Sequence, residues 1–200
     1  MSLPAVKNEK GQYILYEEGK PIGATDVIII DGCIVPVKWA PVIYKIKNDA
    51  SKDGVKITLA VAIRIIEKQI ASRWKNLIIT EDMIKMKEAD HDKYKAWVTD
   101  VVMHGSPSLF NPETGIPGFS KHQKGTAFDF NVTKLDSNRR KIGMLSSYKW
   151  LRKNAWKYGM VRTIKSEPWH FEVDRISGAL TESSTFYFVP KEHPSWAGSL

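Results

Sequence analysis

At 200 residues, with 42% apolar residues, the chain is long enough to bury the core of one domain without covalent staples, and this composition argues against disorder. The single cysteine, Cys33, excludes an internal disulfide framework and a thiolate metal cluster, so any metal must be held by histidine and carboxylate. The formal charge of +8 and the isoelectric point near 9.4 favour polyanionic surroundings, whether nucleic acid, anionic lipid or a bacterial wall, without choosing among them. No run approaches the roughly 20 apolar residues of a membrane span, and the chain reads as soluble. The first ten residues lack the basic-then-apolar pattern of a secretory signal. The expectation is a protein held in the cytoplasm until released, or carried in a virion, or a chain that begins after a removed leader.

Residues 12 to 35 hold short extended runs, Gln12 to Tyr16 and Asp26 to Ile30, punctuated by turn signals at Glu18-Gly19-Lys20-Pro21 and Asp31-Gly32. From Trp39 the apolar residues Trp39, Ile43, Ile46 and Ala50 follow a helix face, which Lys52-Asp53-Gly54 stops. Lys56 to Ile63 is β-branched and apolar and reads as a strand buried on both faces. It runs into Arg64, ahead of a second helical pattern at Ile66, Ile70, Trp74 and Leu77. Thr80 to about Tyr94 reads as one polar surface helix, and Trp97 to Met103 as a strand or a helix end.

Gly105 to Gly118 holds three prolines and three glycines and reads as a loop of functional length. In the strand expected from Ala127 to Val132, Phe128, Phe130 and Val132 take the core face and Asp129 the other. Ser146 or Ser147 can cap a helix lined by Tyr148, Leu151, Ala155 and Tyr158, with a basic opposite face, which Gly159 closes. Pro168 disfavours helix at Glu167. In the extended segment that follows, Trp169, Phe171 and Val173 turn inward, which leaves His170 and Glu172 sharing the outer face. Thr185 to Val189 reads as a last strand before a mobile tail. No repeat or linker divides the chain.

Chemistry concentrates in Ser120 to Phe130 and in Glu167-Pro168-Trp169-His170-Phe171. His122 and Asp129 offer an imidazole nitrogen and a carboxylate oxygen, His170 a second imidazole, and Glu167 a carboxylate beside it. Together they give three ligands and one acid/base group, the complement of a catalytic zinc with an open position. Because His122 and Asp129 are an odd number of residues apart, a straight strand would aim them at opposite faces, and the Lys124-Gly125 turn lets them converge. Zinc lowers the pKa of a coordinated water to about 7, and Glu167 is the carboxylate placed to take the second proton and pass it to a leaving amine. The plain alternative is that these are surface polar residues of two strands. His91, His104 and His193 read as solvated, Cys33 as a small core residue, and the basic helix face as an ordinary surface rather than a nucleic-acid site.

Ser-x-His-x-x-Gly-x-Ala-x-Asp, filled by Ser120, His122, Gly125, Ala127 and Asp129, together with Glu-Pro-Trp-His-Phe at 167 to 171, resembles the zinc D-alanyl-D-alanine carboxypeptidases and dipeptidases of the VanY and VanX kind. The segment Trp150 to Met160 looks like the same chain, and the likeness spans roughly residues 36 to 175. The first 35 and last 25 residues carry none. The resemblance implies a single α+β domain of the hedgehog/DD-peptidase type, with an antiparallel sheet carrying the zinc site and helices on its other face. It also implies Zn2+ held by His122, Asp129 and His170, and Glu167 as the base. Arg64, with Gln69 five residues on as an expected substrate-binding residue, fits the family's oxyanion-stabilising arginine, although its lead-in Ala62-Ile63 departs from the usual small residue and aromatic; otherwise Arg64 is a surface arginine at a strand end. Ser120 would bind the substrate's backbone or terminal carboxylate, or only cap its loop. The implied activity is hydrolysis of a peptide bond in the peptidoglycan stem peptide beside a D-amino acid, as a wall-remodelling, resistance or phage lytic enzyme. A non-catalytic wall-binding or virion structural domain is the alternative, and the number of subunits is not set by the sequence.

Overall fold

The computed structural model describes residues 5–111, 115–135, 141–164 and 166–173. Strands β1 (Tyr13–Glu17) and β2 (Lys20–Thr25) form an antiparallel hairpin with Glu17 opposite Lys20. Its two-residue turn, Glu18-Gly19, has φ of 51° and 75°, the doubly positive conformation whose twist matches the flanking strands. Strands β3 (Val27–Ile30) and β4 (Cys33–Pro36) repeat the device through Asp31 and Gly32, at φ 52° and 79°. Helix α1 (Ala40–Lys52) begins with Pro41 in its first turn and buries Ala40, Ile43, Ile46 and Ala50, the spacing read from the sequence. Strand β5 (Leu59–Val61), helices α2 (Ile66–Asn76), α3 (Glu81–Ala89) and α4 (His91–His104), strands β6 (Ala127–Phe130), β7 (Thr133–Leu135) and β8 (Lys141–Met144), helix α5 (Ser146–Asn154) and strands β9 (Met160–Val161) and β10 (His170–Val173) follow. The fold is mixed α+β, with small antiparallel sheets and five α-helices among the described residues. None of those helices is long and apolar enough to cross a membrane. The expected strand at Thr185 to Val189 and the tail, His193 included, lie outside the described residues.

The chain packs as two compact units. One comprises the residues up to Asp26 together with Arg64–Lys124, and its core joins Tyr16, Ile66, Ile70, Met83, Val98, Val102 and Phe110. Two expectations are corrected here. Thr80 to Met103 is two helices, because Thr80 caps α3 and Asp90, extended at φ −155° and ψ 97°, ends it and caps α4 through the Lys93 N–H at 2.9 Å. The inner face of α2 is Ile66, Gln69, Ile70 and Arg73, while Trp74 stays 47% exposed. Arg73 is buried because it finds partners inside: its guanidinium stacks 3.8 Å from the Phe110 ring centre and donates to the carbonyls of Val101 (3.0 Å) and Gly105 (2.5 Å).

The other unit comprises Val27–Ile63 and the chain from Gly125 onward. It holds a four-stranded antiparallel sheet in the order β5-β6-β10-β9. Helices α1 and α5 pack Ile43, Ile46, Trp150 and Leu151 with Phe128, Phe130 and Phe171 of the sheet, and the Phe130 and Phe171 rings meet edge to face at 5.6 Å. The segment Lys56 to Ile63 is shorter as a strand than its composition suggests. Only Leu59–Val61 joins the ladder and Ala60 faces out, so one face is buried rather than two. Asp31 anchors the β3–β4 turn to this sheet, accepting the Leu59 N–H at 2.9 Å and pairing with Lys47 of α1. Neither Ser146 nor Ser147 caps α5. Leu145 takes the cap position with no side-chain bond, and Ser147 is buried, donating to the Asn131 carbonyl at 2.8 Å. After Asn154 the helix tightens into a 3-10 turn, Ala155–Tyr158, and Gly159 closes it at φ 70°.

Candidate metal centre

A tight turn sets His122. The Ser120 carbonyl accepts the N–H groups of Gln123 (2.9 Å) and Lys124 (3.2 Å), and the Ser120 hydroxyl accepts the His122 N–H at 3.3 Å. Ser120 thus caps this turn. Gly125 then adopts φ 71°, a left-handed conformation that glycine enters without steric cost, and the chain turns into β6.

Register sets the other two ligand-type residues. Asp129 of β6 and His170 of β10 are direct partners across the antiparallel ladder, so their side chains stand on one face, with Asp129 Oδ1 3.0 Å from His170 Nδ1. Glu167 opens a turn in which Pro168 takes the second position and the His170 N–H returns to the Glu167 carbonyl at 3.1 Å. This turn brings Glu167 Oε2 to 4.0 Å from His170 Nδ1 while leaving 40% of the glutamate side chain exposed.

The ligand-type atoms of His122, Asp129 and His170 lie within 4.8 Å of one another, and all three residues are buried. Two imidazoles and a carboxylate form a group that could hold a metal ion of borderline softness. The surroundings suit a cation. His170 Nε2 lies 3.3 Å from Glu172 Oε1, which also accepts the Thr163 hydroxyl at 2.6 Å. Burial by itself would lower the pKa of this imidazole, but hydrogen bonds and charge from Asp129 and Glu172 outweigh burial and raise it to about 9. A buried place that draws a proton this strongly favours positive charge, and a metal would compete for it. The carboxylate on the second ring nitrogen is also the usual device for fixing the tautomer of a metal-ligating histidine.

Arg64 is half-buried, and its Nη1 lies 3.5 Å from Gln69 Oε1. Gln69 is 3% exposed, and its Nε2 donates to the Gly115 carbonyl at 2.7 Å. His104 is exposed and pairs with Asp100 on α4, and His91 is exposed at the start of that helix. Two residues near the centre carried no functional expectation. Thr163 has no motif around it. Gln123 is 2% exposed despite lying between Lys124 and His122, and its Oε1 accepts the N–H groups of Gly118 (2.7 Å) and Ser120 (3.3 Å). Glu172 was readable as a neighbour of His170, since strand alternation places both on one face.

A D-alanyl-D-alanine carboxypeptidase of Enterococcus faecalis (strain ATCC 700802 / V583) is 24% identical over 157 residues, covering 72% of this chain and 50% of the relative. The chain thus spans about half the length of that curated relative. Similar solved structures include the vancomycin-resistance D,D-pentapeptidase VanY, as a point mutant in complex with Zn(II). It is 22% identical at a TM-score of 0.48, covering 80% of this chain and 86% of that one. VanYB in complex with D-alanine-D-alanine is likewise 22% identical with a TM-score of 0.48, covering 80% and 84%. Residues 37–173 match the family model VanY, D-alanyl-D-alanine carboxypeptidase, and on that match the chain belongs to the VanY family.

Proposed function

We propose that this chain is a zinc-dependent peptidase that hydrolyses a peptide bond of the peptidoglycan stem peptide beside a D-amino acid, most simply the terminal D-alanyl-D-alanine bond. The observation that carries the reading is the buried His122, Asp129 and His170 group with a part-exposed carboxylate, Glu167, 4.0 Å from one of its nitrogens. A binding domain has no use for that fourth group. Zn2+ bound there would supply Lewis-acid polarisation of a carbonyl and acidification of a water. His122, Asp129 and His170 would hold the ion, and Glu172 would orient His170 through its Nε2.

Glu167 is the proton carrier in this reading. Its carboxylate takes a proton from the attacking water and delivers it to the departing amine, so one group serves as base and then as acid. Arg64 would offer its guanidinium to the oxygen that gains charge as the carbonyl becomes tetrahedral. Gln69, with its amide engaged at both ends, supports Arg64 by position rather than by touching substrate. The +8 charge would favour approach to an anionic wall.

The test is to incubate the purified chain with muropeptides ending in D-alanyl-D-alanine, with and without a chelator, and to read the products by mass. Loss of one D-alanine, abolished by chelator and restored by Zn2+, is the expected result. No cleavage of any muropeptide by zinc-replete protein would overturn the reading.

A further inference from the structure

The β1–β2 hairpin lies ahead of the stretch that the family model covers, residues 37–173, yet at the end of β1 and at its turn it is bonded to the loop that carries His122. The Tyr16 N–H donates to the Gln123 carbonyl at 3.0 Å, the Gly19 N–H donates to the Gly118 carbonyl at 3.2 Å, and Lys124 pairs with Glu17. The backbones also touch. Gly118 sits at φ +87°, and a Cβ built there would lie 2.6 Å from Gly19 Cα, closer than real contacts allow. Both positions are glycine where the two backbones come this close.

The loop has no ladder of its own. Three of its N–H groups, those of Gly118, Ser120 and His122, end on the side chains of Gln123 and Ser120. Gln123 Nε2 is buried with no hydrogen-bond partner. A buried unsatisfied donor is costly, so the arrangement persists only if other contacts over-determine it. The hairpin supplies such contacts from outside.

We propose that the β1–β2 hairpin is a positioning element for the metal centre. It holds residues 118–124 in the conformation that presents His122 as a ligand, with Glu17 and Gly19 as positioning residues. The inference rests on the reading of His122 as a metal ligand. Its physical content is preorganisation: a loop already ordered loses little conformational entropy when the ion binds, whereas a released loop must be ordered at that moment.

The experiment measures Zn2+ affinity by chelator competition, and the visible absorption of the Co2+-substituted protein, on full-length variants. Gly118→Ala drives a methyl group into Gly19. Gly11→Ala is the matched control, since Gly11 has φ +77° and nothing within 4 Å of the added carbon, so the backbone penalty is the same without the collision. Gly118→Ala should weaken Zn2+ binding about ten- to a hundredfold, the range seen when groups that orient metal ligands are lost, and should alter the Co2+ spectrum. Gly11→Ala should do neither. Glu17→Lys should weaken binding about threefold, the scale of a half-exposed ion pair, and the exchange Glu17→Lys with Lys124→Glu should restore it. Should Gly118→Ala fail to fold, the charge-exchange pair decides alone. Wild-type affinity in Gly118→Ala or in Glu17→Lys, equal loss in Gly11→Ala, or no restoration by the exchange overturns the hairpin's role. Failure of the underlying reading looks different: the unmodified protein would bind no Zn2+, or His122→Ala would bind it as tightly as the unmodified protein.

Discussion

Replacing Asp31 with alanine should destabilise the unit built on the four-stranded sheet by about 2–6 kcal/mol. The Leu59 N–H, held by the carboxylate at 2.9 Å, would lose its acceptor, and an unsatisfied donor costs about 1–3 kcal/mol. Asp31 also sits at φ 52°, where a residue without a short polar side chain pays roughly 1–2 kcal/mol. The ion pair with Lys47, whose side chains are 22% and 25% exposed, adds no more than about 1 kcal/mol after solvent screening. Asp31→Asn keeps an acceptor and tolerates the left-handed turn, so it should cost only about 1 kcal/mol. Urea unfolding followed by tryptophan fluorescence, with unchanged m-values, would read both differences. The pH dependence fixes the cause. Burial raises the pKa of this carboxyl, but the hydrogen bonds from Lys47 and the Leu59 N–H outweigh burial, so the net shift is downward from the ordinary value. A depressed folded pKa means the contribution is present above the unfolded value of about 3.9 and is lost as pH falls through the folded one. The gap between wild type and Asp31→Asn should therefore close on acidification below about pH 4. An asparagine variant as unstable as the alanine one, or a gap indifferent to acid, would refute the reasoning.

Three predictions address the centre directly. The protein as isolated should carry about one zinc per chain, and His122→Ala, Asp129→Ala or His170→Ala should abolish it, because three ligands are the minimum for a catalytic site; stoichiometric zinc in His170→Ala, read by elemental analysis, would mean the ligand set is wrong. Glu167→Gln should retain the metal while turnover of muropeptide falls about 10²- to 10⁴-fold, and near-normal hydrolysis would move the base elsewhere. Arg64→Ala should lower kcat by about 10²- to 10³-fold with little change in KM, and Arg64→Lys should recover little because a point charge does not reproduce the planar fork. A loss confined to KM would make Arg64 a clamp for the substrate carboxylate instead.

What could be read from the chain, and what could not, follows from where each residue's partners lie. The two hairpin turns are legible because Glu18-Gly19 and Asp31-Gly32 must adopt positive φ at both residues, a demand few residue pairs meet. Strand β2 is not, since Lys20 to Thr25 contains proline and glycine, five of its six residues are exposed, and no apolar alternation marks it. Arg73 reads as a surface charge until Phe110 and the carbonyls of Val101 and Gly105 are brought against it from 28 to 37 positions away. His122, Asp129 and His170 are legible as candidates for the opposite reason: few side-chain types can hold a metal, and the fold brings these three together.

The two carboxylates near His170 show where residue type stops deciding and geometry begins. From strand alternation alone, Glu172 is as good a base as Glu167, because it shares the face of His170. In the folded chain Glu172 Oε1 is committed twice, to His170 Nε2 at 3.3 Å and to the Thr163 hydroxyl at 2.6 Å, and its side chain is only 19% exposed. A carboxylate bonded in that way orients a ligand well and shuttles protons badly, since each transfer would break the contacts that fix the ring. Glu167 stands 4.0 Å from Nδ1 with 40% of its side chain exposed, near enough to reach a water at the centre and open enough to exchange its proton. Exchanging the roles should therefore fail: Glu172→Gln should weaken metal binding with turnover per bound metal largely kept, whereas Glu167→Gln should spare the metal and lose turnover. The same phenotype from both variants would mean that the division between orienting and proton-carrying carboxylate does not hold.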